Sequence, residues 1–410
     1  MKRNLLCCRG AWLAALFCML PANNLLAGDG QPHEFTVIAV GDAGETGSAL
    51  RACGAYAVDM YTGRHDGGVF DAMIFLGDNF YNIGLNGPRG DADSKAKRVL
   101  DPFKEALRGL GKGNVHAIPG EHDYYARYLV ENSYLFGLIT EEDMPAGLSD
   151  KGNQREAEID DWTFHYRMPA QTTFAMGPGS PDSVQFIFFD SALPLRTPPS
   201  TWHPALDSLR KILIDSRDRT GIRWRIFCSH HPFLAVGEHA GYTVWNDETN
   251  MVEYLTRCDK DSNAGAWLEN SLDPEDLCAE KYRNSLDSIR AVIHSAGVRL
   301  QVALAAHDHS LQLLNYPARG ADEAEFPGVQ IISGAGSNPT QVKLPSPPSE
   351  YTSAQTDPAK QGESCPGFVQ LQFGRDKLRI RFFNAKTGDW QDMGGGRKEF
   401  WVDLNGTLLN

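Results

Sequence analysis

Residues 71–81 carry an apolar run of strand length, 72–76, into a turn at Gly77-Asp78, with a phenol three residues on at Tyr81. A carboxylate at the mouth of a buried strand is costly unless a cation meets it. Asp78 therefore reads as a carboxylate shared by two metal ions. Four more apolar, strand-like runs end in metal-ligand residue types: at Asp42, at Glu121-His122, at His230-His231, and at His307 with His309. A single Asp after a strand is ordinary, since it caps turns and helices. Five such ends in one chain point to a shared site, because ligands of open α/β sheets gather beyond the carboxyl ends of the strands. Carboxylate, imidazole and phenol together suit Fe, Zn or Mn rather than Ca. Two such ions about 3.5–4 Å apart clamp a group undergoing displacement at phosphorus.

The elements that must position these groups are legible in outline. Strand-like runs at 35–40, 72–76, 115–119, 184–189, 224–228, 299–305 and 329–332 alternate with helical stretches at 48–60, 101–110, 205–217 and 286–296. The third helical stretch places apolar residues at 206, 209, 212 and 213 on one face. The fourth stops at Gly297. Residues 368–373 and 377–383 alternate around Gly374-Arg375-Asp376 as a hairpin, and 400–404 reads as a last strand. This order predicts an α/β layered fold, and the β-rich tail predicts a mixed rather than a purely parallel sheet. Residues 161–167 alternate in strand fashion, and the aromatic-rich 124–137 reads as helical. Residues 242–283 form a polar, acidic excursion and 345–366 a Pro/Ser-rich loop. No linker divides residues 28–410, which read as a single domain.

Composition narrows the partners. Lys2, Arg3 and Arg9 accompany an apolar stretch at 11–20 that is too short to span a bilayer, so residues 1–27 read as a signal peptide cut after Ala27. Losing those three positive charges takes the formal net charge from −13 to −16. No long basic run occurs, which argues against a nucleic-acid partner. No later segment is apolar enough to cross a membrane, and a secreted or periplasmic protein is expected. Eight cysteines fall to five without the leader, an odd number, so at least one thiol is free or pairs with another chain. Cys258 and Cys278 are expected to staple the acidic excursion. Cys228 reads as a small buried hydrophobe, and pairing of Cys53 with Cys365 stays open.

Gly41-Asp-Ala-Gly44, Gly77-Asp-Asn-Phe-Tyr81, Gly120-Glu-His-Asp123, His230 before Pro232, and Ala306-His-Asp-His309 resemble the five motif blocks of purple acid phosphatases. These belong to the calcineurin-like metallophosphoesterase superfamily. Residues 76–81, 307–314 and 333–336 look most like the small, tartrate-resistant branch. The resemblance covers roughly residues 35–338 and implies a four-layer αββα sandwich with two mixed β-sheets flanked by helices. It implies Fe3+ held by Asp42, Tyr81 and His309, with Asp78 bridging to a second ion, Fe2+, Zn2+ or Mn2+, on His230, His307 and residue 121. It implies hydrolysis of small phosphomonoesters by a metal-bound hydroxide, with His122 and His239 as candidate proton donors. The third block of that family reads Gly-Asn-His, so Glu121 is a departure. A carboxylate can still coordinate, adding one negative charge and one methylene. Two rival functions stay open. One is a phosphodiesterase or nucleotidase of the same superfamily. The other is a phosphate-binding metalloprotein whose catalysis is reduced by Glu121.

Overall fold

Strand formation follows from short apolar runs whose two faces are both covered. In Phe35–Val40, residues Val37 and Ala39 face one core while Ile38 and Val40 face another. In Ala72–Leu76, residues Ala72, Ile74 and Leu76 join the first core and Met73 and Phe75 the second. Such strands alternate in direction but not in polarity, so they read as continuous hydrophobic runs.

The structure is a computed structural model that describes residues 34–65, 68–81, 84, 89–123, 158–159, 162–163, 168–237, 239–240, 243–246, 251–254, 274–315, 326–340, 349–352, 365–393 and 396–409. In chain order the strands are β1 (Phe35–Val40), β2 (Ala72–Leu76), β3 (Val115–Ile118), β4 (Glu158–Ile159), β5 (Trp162–Thr163), β6 (Ala170–Ala175), β7 (Ser183–Phe188), β8 (Ile222–Cys228), β9 (Thr243–Asn246) and β10 (Met251–Tyr254). They continue as β11 (Val302–Ala305), β12 (Leu311–Asn315), β13 (Val329–Ser333), β14 (Ser349–Thr352), β15 (Gly367–Phe373), β16 (Lys377–Asn384), β17 (Asp389–Trp390), β18 (Phe400–Asp403) and β19 (Leu408–Leu409).

Two large sheets carry the fold. The first has the order β19-β18-β16-β15-β1-β2-β3, with β17 on β16; the second has the order β14-β12-β13-β11-β8-β7-β6. Both are mixed. The β1-β2-β3 run is parallel and meets β15 antiparallel. The β7-β8-β11-β13 run is parallel and is flanked by antiparallel β6 and β12. Trp224, Ile226, Val302 and Leu304 of the second sheet pack on Val37, Ile74 and Leu371 of the first, so the largest core lies between the sheets. The helices Ser48–Tyr61 and Lys104–Leu110 cover the outer face of the first sheet. The helices Pro199–Asp218 and Glu280–Ala296 cover that of the second. The result is the expected α/β sandwich of two mixed sheets between helical layers, and residues Glu34–Asn410 form one compact unit.

Several boundaries differ from the sequence reading. The stretch 101–110 is a 3-10 turn, Asp101–Phe103, followed by a helix at Lys104–Leu110. A helix at Arg89–Leu100 and strand β6 carry too little apolar periodicity to announce themselves, and the short strand β12 is additional to the sequence reading. The 205–217 helix begins earlier, at Pro199, where a proline suits the first turn. The strand expected from 299 begins at Val302. The Pro/Ser-rich loop contains β14, recruited by antiparallel pairing with β12. Within 161–167 only Trp162–Thr163 is described as strand, and the proposed helix at 124–137 and the signal peptide lie outside the described residues. Cys228, Cys53 and Cys365 are buried free thiols. Cys278 is disulfide-bonded, and Cys258 lies outside the described residues. Among the described residues no helix is long and apolar enough to cross a membrane.

Candidate metal centre

The parallel strands β1, β2, β3, β8 and β11 deliver their carboxyl ends to one place. Hydrogen bonds lock those ends, both across the two sheets and within the second. Gly41 N donates to Ser333 O at 2.7 Å, and His307 N donates to Asp42 Oδ2 at 2.9 Å. Ala306 N donates to His230 O at 2.9 Å. The approach requires glycine at Gly120, where a Cβ would lie on Asp78 Oδ1. Among the described residues only Asp42, Asp78 and His307 are non-glycine residues with positive φ, at 52°, 51° and 65°. All three are candidate ligands, and backbone of this kind persists only where its surroundings over-determine it.

Two separate donor clusters result. Asp42, Asp78 and His309 form one and Glu121, His230 and His307 form the other; a third grouping, Asp78, Glu121 and His122, overlaps both. The Tyr81 hydroxyl lies 2.9 Å from Asp42 Oδ1, 2.8 Å from Asp78 Oδ2 and 2.9 Å from His309 Nε2. One phenolic proton cannot serve three partners, whereas a phenolate and two carboxylates around a cation are mutually consistent. Asp78 stands between the clusters: its Oδ2 is also 3.6 Å from His230 Nε2. In the second cluster, Glu121 Oε2 is 2.8 Å from His230 Nε2 and Glu121 Oε1 is 2.7 Å from His307 Nδ1. Yet Glu121 Oε2, His230 Nε2 and His307 Nδ1 are buried and make no hydrogen bond. Buried polar atoms left so need a partner, and a cation supplies one to all three.

The outer contacts agree. His230 Nδ1 donates to Leu76 O at 2.8 Å, His307 Nε2 to Glu275 O at 2.7 Å, and His309 Nδ1 to Asn338 O at 3.0 Å. Each imidazole thus spends one nitrogen on a backbone carbonyl and turns the other inward, as metal-bound histidines do. Charge fits as well. Burial raises the Asp78 carboxyl, with Glu121 adding to it, and burial with Asp42 and Asp78 holds the Tyr81 phenol well above its ordinary value. Burial opposes charge on His230 and His307, but Glu121 outweighs it and both are raised. Burial likewise opposes ionisation of Glu121, yet His307 and His230 bring it well below the carboxylate range. Without metal the centre therefore holds protons on its imidazoles, which bound ions would displace.

The proton-donor candidates sit at the rim. His122 Nε2 is 3.9 Å from Asp78 Oδ2, and its ring lies 4.3 Å from that of Tyr81. The His239 ring lies 4.4 Å from the His307 ring at a tilt of 32°, and its Nδ1 is 3.1 Å from Asp276 Oδ1. Further side chains hold these loops. Asp308 Oδ2 accepts from Gly237 N at 2.7 Å and Asp308 Oδ1 from His239 N at 3.4 Å, fixing the His239 loop. Asp123 Oδ2 accepts from Gly120 N at 2.9 Å and from Asn79 N at 3.2 Å. Asn79 Nδ2 donates to Ile118 O at 2.8 Å, so Asn79 braces the third block. Asp308 and Asp123 lie inside the motif blocks and were open to such a reading; Asp276, distant in sequence from His239, carried no signal.

A two-sheet sandwich with a paired donor set at the strand ends defines a class of metal-dependent hydrolases. The chain belongs to the calcineurin-like phosphoesterase family, which it matches over residues 35–262, more than half its length. That family acts on phosphoester bonds with two metal ions. No curated protein matches the chain. Among solved structures, it is similar to GAP50, the anchor in the inner membrane complex of Plasmodium, at 14% identity and TM-score 0.47, covering 89% of this chain and 90% of that one. It is similar to PhoD at 10% identity and TM-score 0.48, covering 92% of this chain and 71% of that one. At those scores neither likeness bears on function.

Proposed function

We propose that the protein is a binuclear acid phosphatase of the purple type, exported to the periplasm or exterior, hydrolysing small phosphomonoesters. The observation that carries this reading is the Tyr81 hydroxyl set among Asp42, Asp78 and His309, since a phenolate ligand favours ferric iron. Asp42, Tyr81, His309 and Asp78 would hold Fe3+. Asp78, Glu121, His230 and His307 would hold Fe2+, Zn2+ or Mn2+. Ions so bound supply Lewis acidity, offset phosphate charge and lower the pKa of water. The remaining work belongs to side chains. His122, at the rim beside Asp78, protonates the leaving oxygen. His239, oriented by Asp276, is the second donor.

Metal analysis with a visible spectrum tests the reading. Iron with a charge-transfer band that Tyr81→Phe abolishes is the expected result; iron-free protein that retains full activity overturns it. Hydrolysis of a monoester over a diester, lost with chelator, is expected. A preference for diesters would favour the phosphodiesterase, and phosphate binding without turnover the binding protein.

A further inference from the structure

Three histidines of the centre donate to backbone carbonyls, but a fourth is arranged differently. His231 is 1% exposed and sits behind Glu121, outside the two donor clusters. Its Nε2 is 3.3 Å from Glu121 Oε2, and both atoms are buried without a hydrogen bond. Its Nδ1 is 3.0 Å from Ser191 Oγ. Ser191 Oγ also accepts the His231 backbone N–H at 2.9 Å, and Ser229 Oγ donates to His231 O at 2.9 Å, so the residue is held from both ends. Having accepted that amide, the Ser191 hydroxyl has its own proton to give to Nδ1. The ring proton then belongs on Nε2, facing the carboxylate.

We infer that Ser191 and His231 form a positioning relay for Glu121, turning its carboxylate onto the second metal ion. The inference rests on the reading of Glu121, His230 and His307 as ligands of that ion. It explains how a carboxylate serves at this position. An amide ligand would bring its own N–H to satisfy, whereas a carboxylate has only acceptor lone pairs, and the one on Oε2 not turned to the ion needs a donor. His231 Nε2–H, 3.3 Å from Oε2, is placed to be that donor, and it acts on the metal only through Glu121. Orienting contacts of this kind change metal affinity about 10–100-fold when removed.

The test is Zn2+ titration of full-length protein that keeps its ferric ion and has lost only the second ion, with the Tyr81 band of the ferric site as an independent readout. His231→Phe keeps the ring and removes the donor. It should weaken Zn2+ binding about 10–100-fold while the visible band stays. His231→Gln places an amide N–H near the lost Nε2 and should restore most of the affinity, and Ser191→Ala should lower it by a smaller factor. In a Glu121→Asn background, His231→Phe should have no further effect. Unchanged Zn2+ affinity in His231→Phe, an equal loss in the Glu121→Asn background, or no rescue by Gln would each overturn the relay. His230→Ala separates the two readings: if it leaves Zn2+ affinity intact, the assignment of the second site itself is wrong.

Discussion

Stripped of metal, the centre should make the protein fragile towards base. His309 shows why. Burial opposes its charge, but Asp42 Oδ1 lies 3.4 Å from its Nε2, and the imidazole is raised from 6.5 to about 9. Burial also works against the Asp42 carboxylate, yet His309 outweighs it and lowers Asp42, so the two partners agree in direction. A group raised in the folded state contributes its stability in full below its unfolded value, near pH 6.5, and loses it as pH climbs through about 9. At 1.36 kcal/mol per unit, His309 alone accounts for about 3 kcal/mol across that window. His230 and His307 shift in the same direction and add to the slope.

Urea unfolding of chelator-treated wild type and His309→Gln at pH 6, 7.5 and 9 reads the effect. The wild type should lead by about 3 kcal/mol more at pH 6 than at pH 9, over whatever constant difference the lost packing produces. Metal-loaded protein should show the opposite slope. Ions require neutral imidazoles, so acid strips them and lowers stability. Parallel wild-type and variant curves across pH 6–9 would refute the proton-for-metal account of the centre.

Two further outcomes test the geometry directly. His122→Ala should lower kcat by about 10²–10⁴-fold with both ions retained, by metal analysis; loss of an ion would make it a ligand instead of a donor. Gly120→Ala places a Cβ on Asp78 Oδ1, and overpacking of this sort costs about 1–3 kcal/mol. Its Tm should fall and its metal content drop together, and a variant that binds both ions normally would show that the third block yields more than its packing suggests.

What was legible in the sequence follows from burial. β2 announced itself because both its faces are covered, and β8 because its last three residues, Ile226-Phe227-Cys228, are; the runs stop at Gly77-Asp78 and Ser229-His230. β6, by contrast, is a half-exposed edge strand rich in Gln and Thr, and its pairing with β7 supplies what its composition does not. The helix Arg89–Leu100 opens on Arg-Gly-Asp-Ala-Asp-Ser, which offers no apolar stripe. β14 lies in a Pro/Ser-rich stretch, where register with Gln312 and Leu313 overrides local preference. Strand pairing decided β6 and β14, and such pairing has no local signature.

The same division runs through the centre. Residue types at the strand ends could be read, because metal chemistry demands them. The backbone that aims them could not: nothing in Asp42, Asp78 or His307 as letters predicts positive φ. These conformations are held by bonds between segments far apart in the chain, such as His307 N to Asp42 Oδ2 and Asp42 N to Gly77 O at 3.0 Å. The first ties a ligand at one sheet to a ligand at the other, and the second ties Asp42 to the turn that carries Asp78, so the two sheets cannot slide without disturbing both clusters. Three buried carboxylates, a phenol and strained backbone would be unfavourable together in a purely structural role. Cations resolve the charge, and the hydrogen bonds between the sheets hold the strained backbone in place around them.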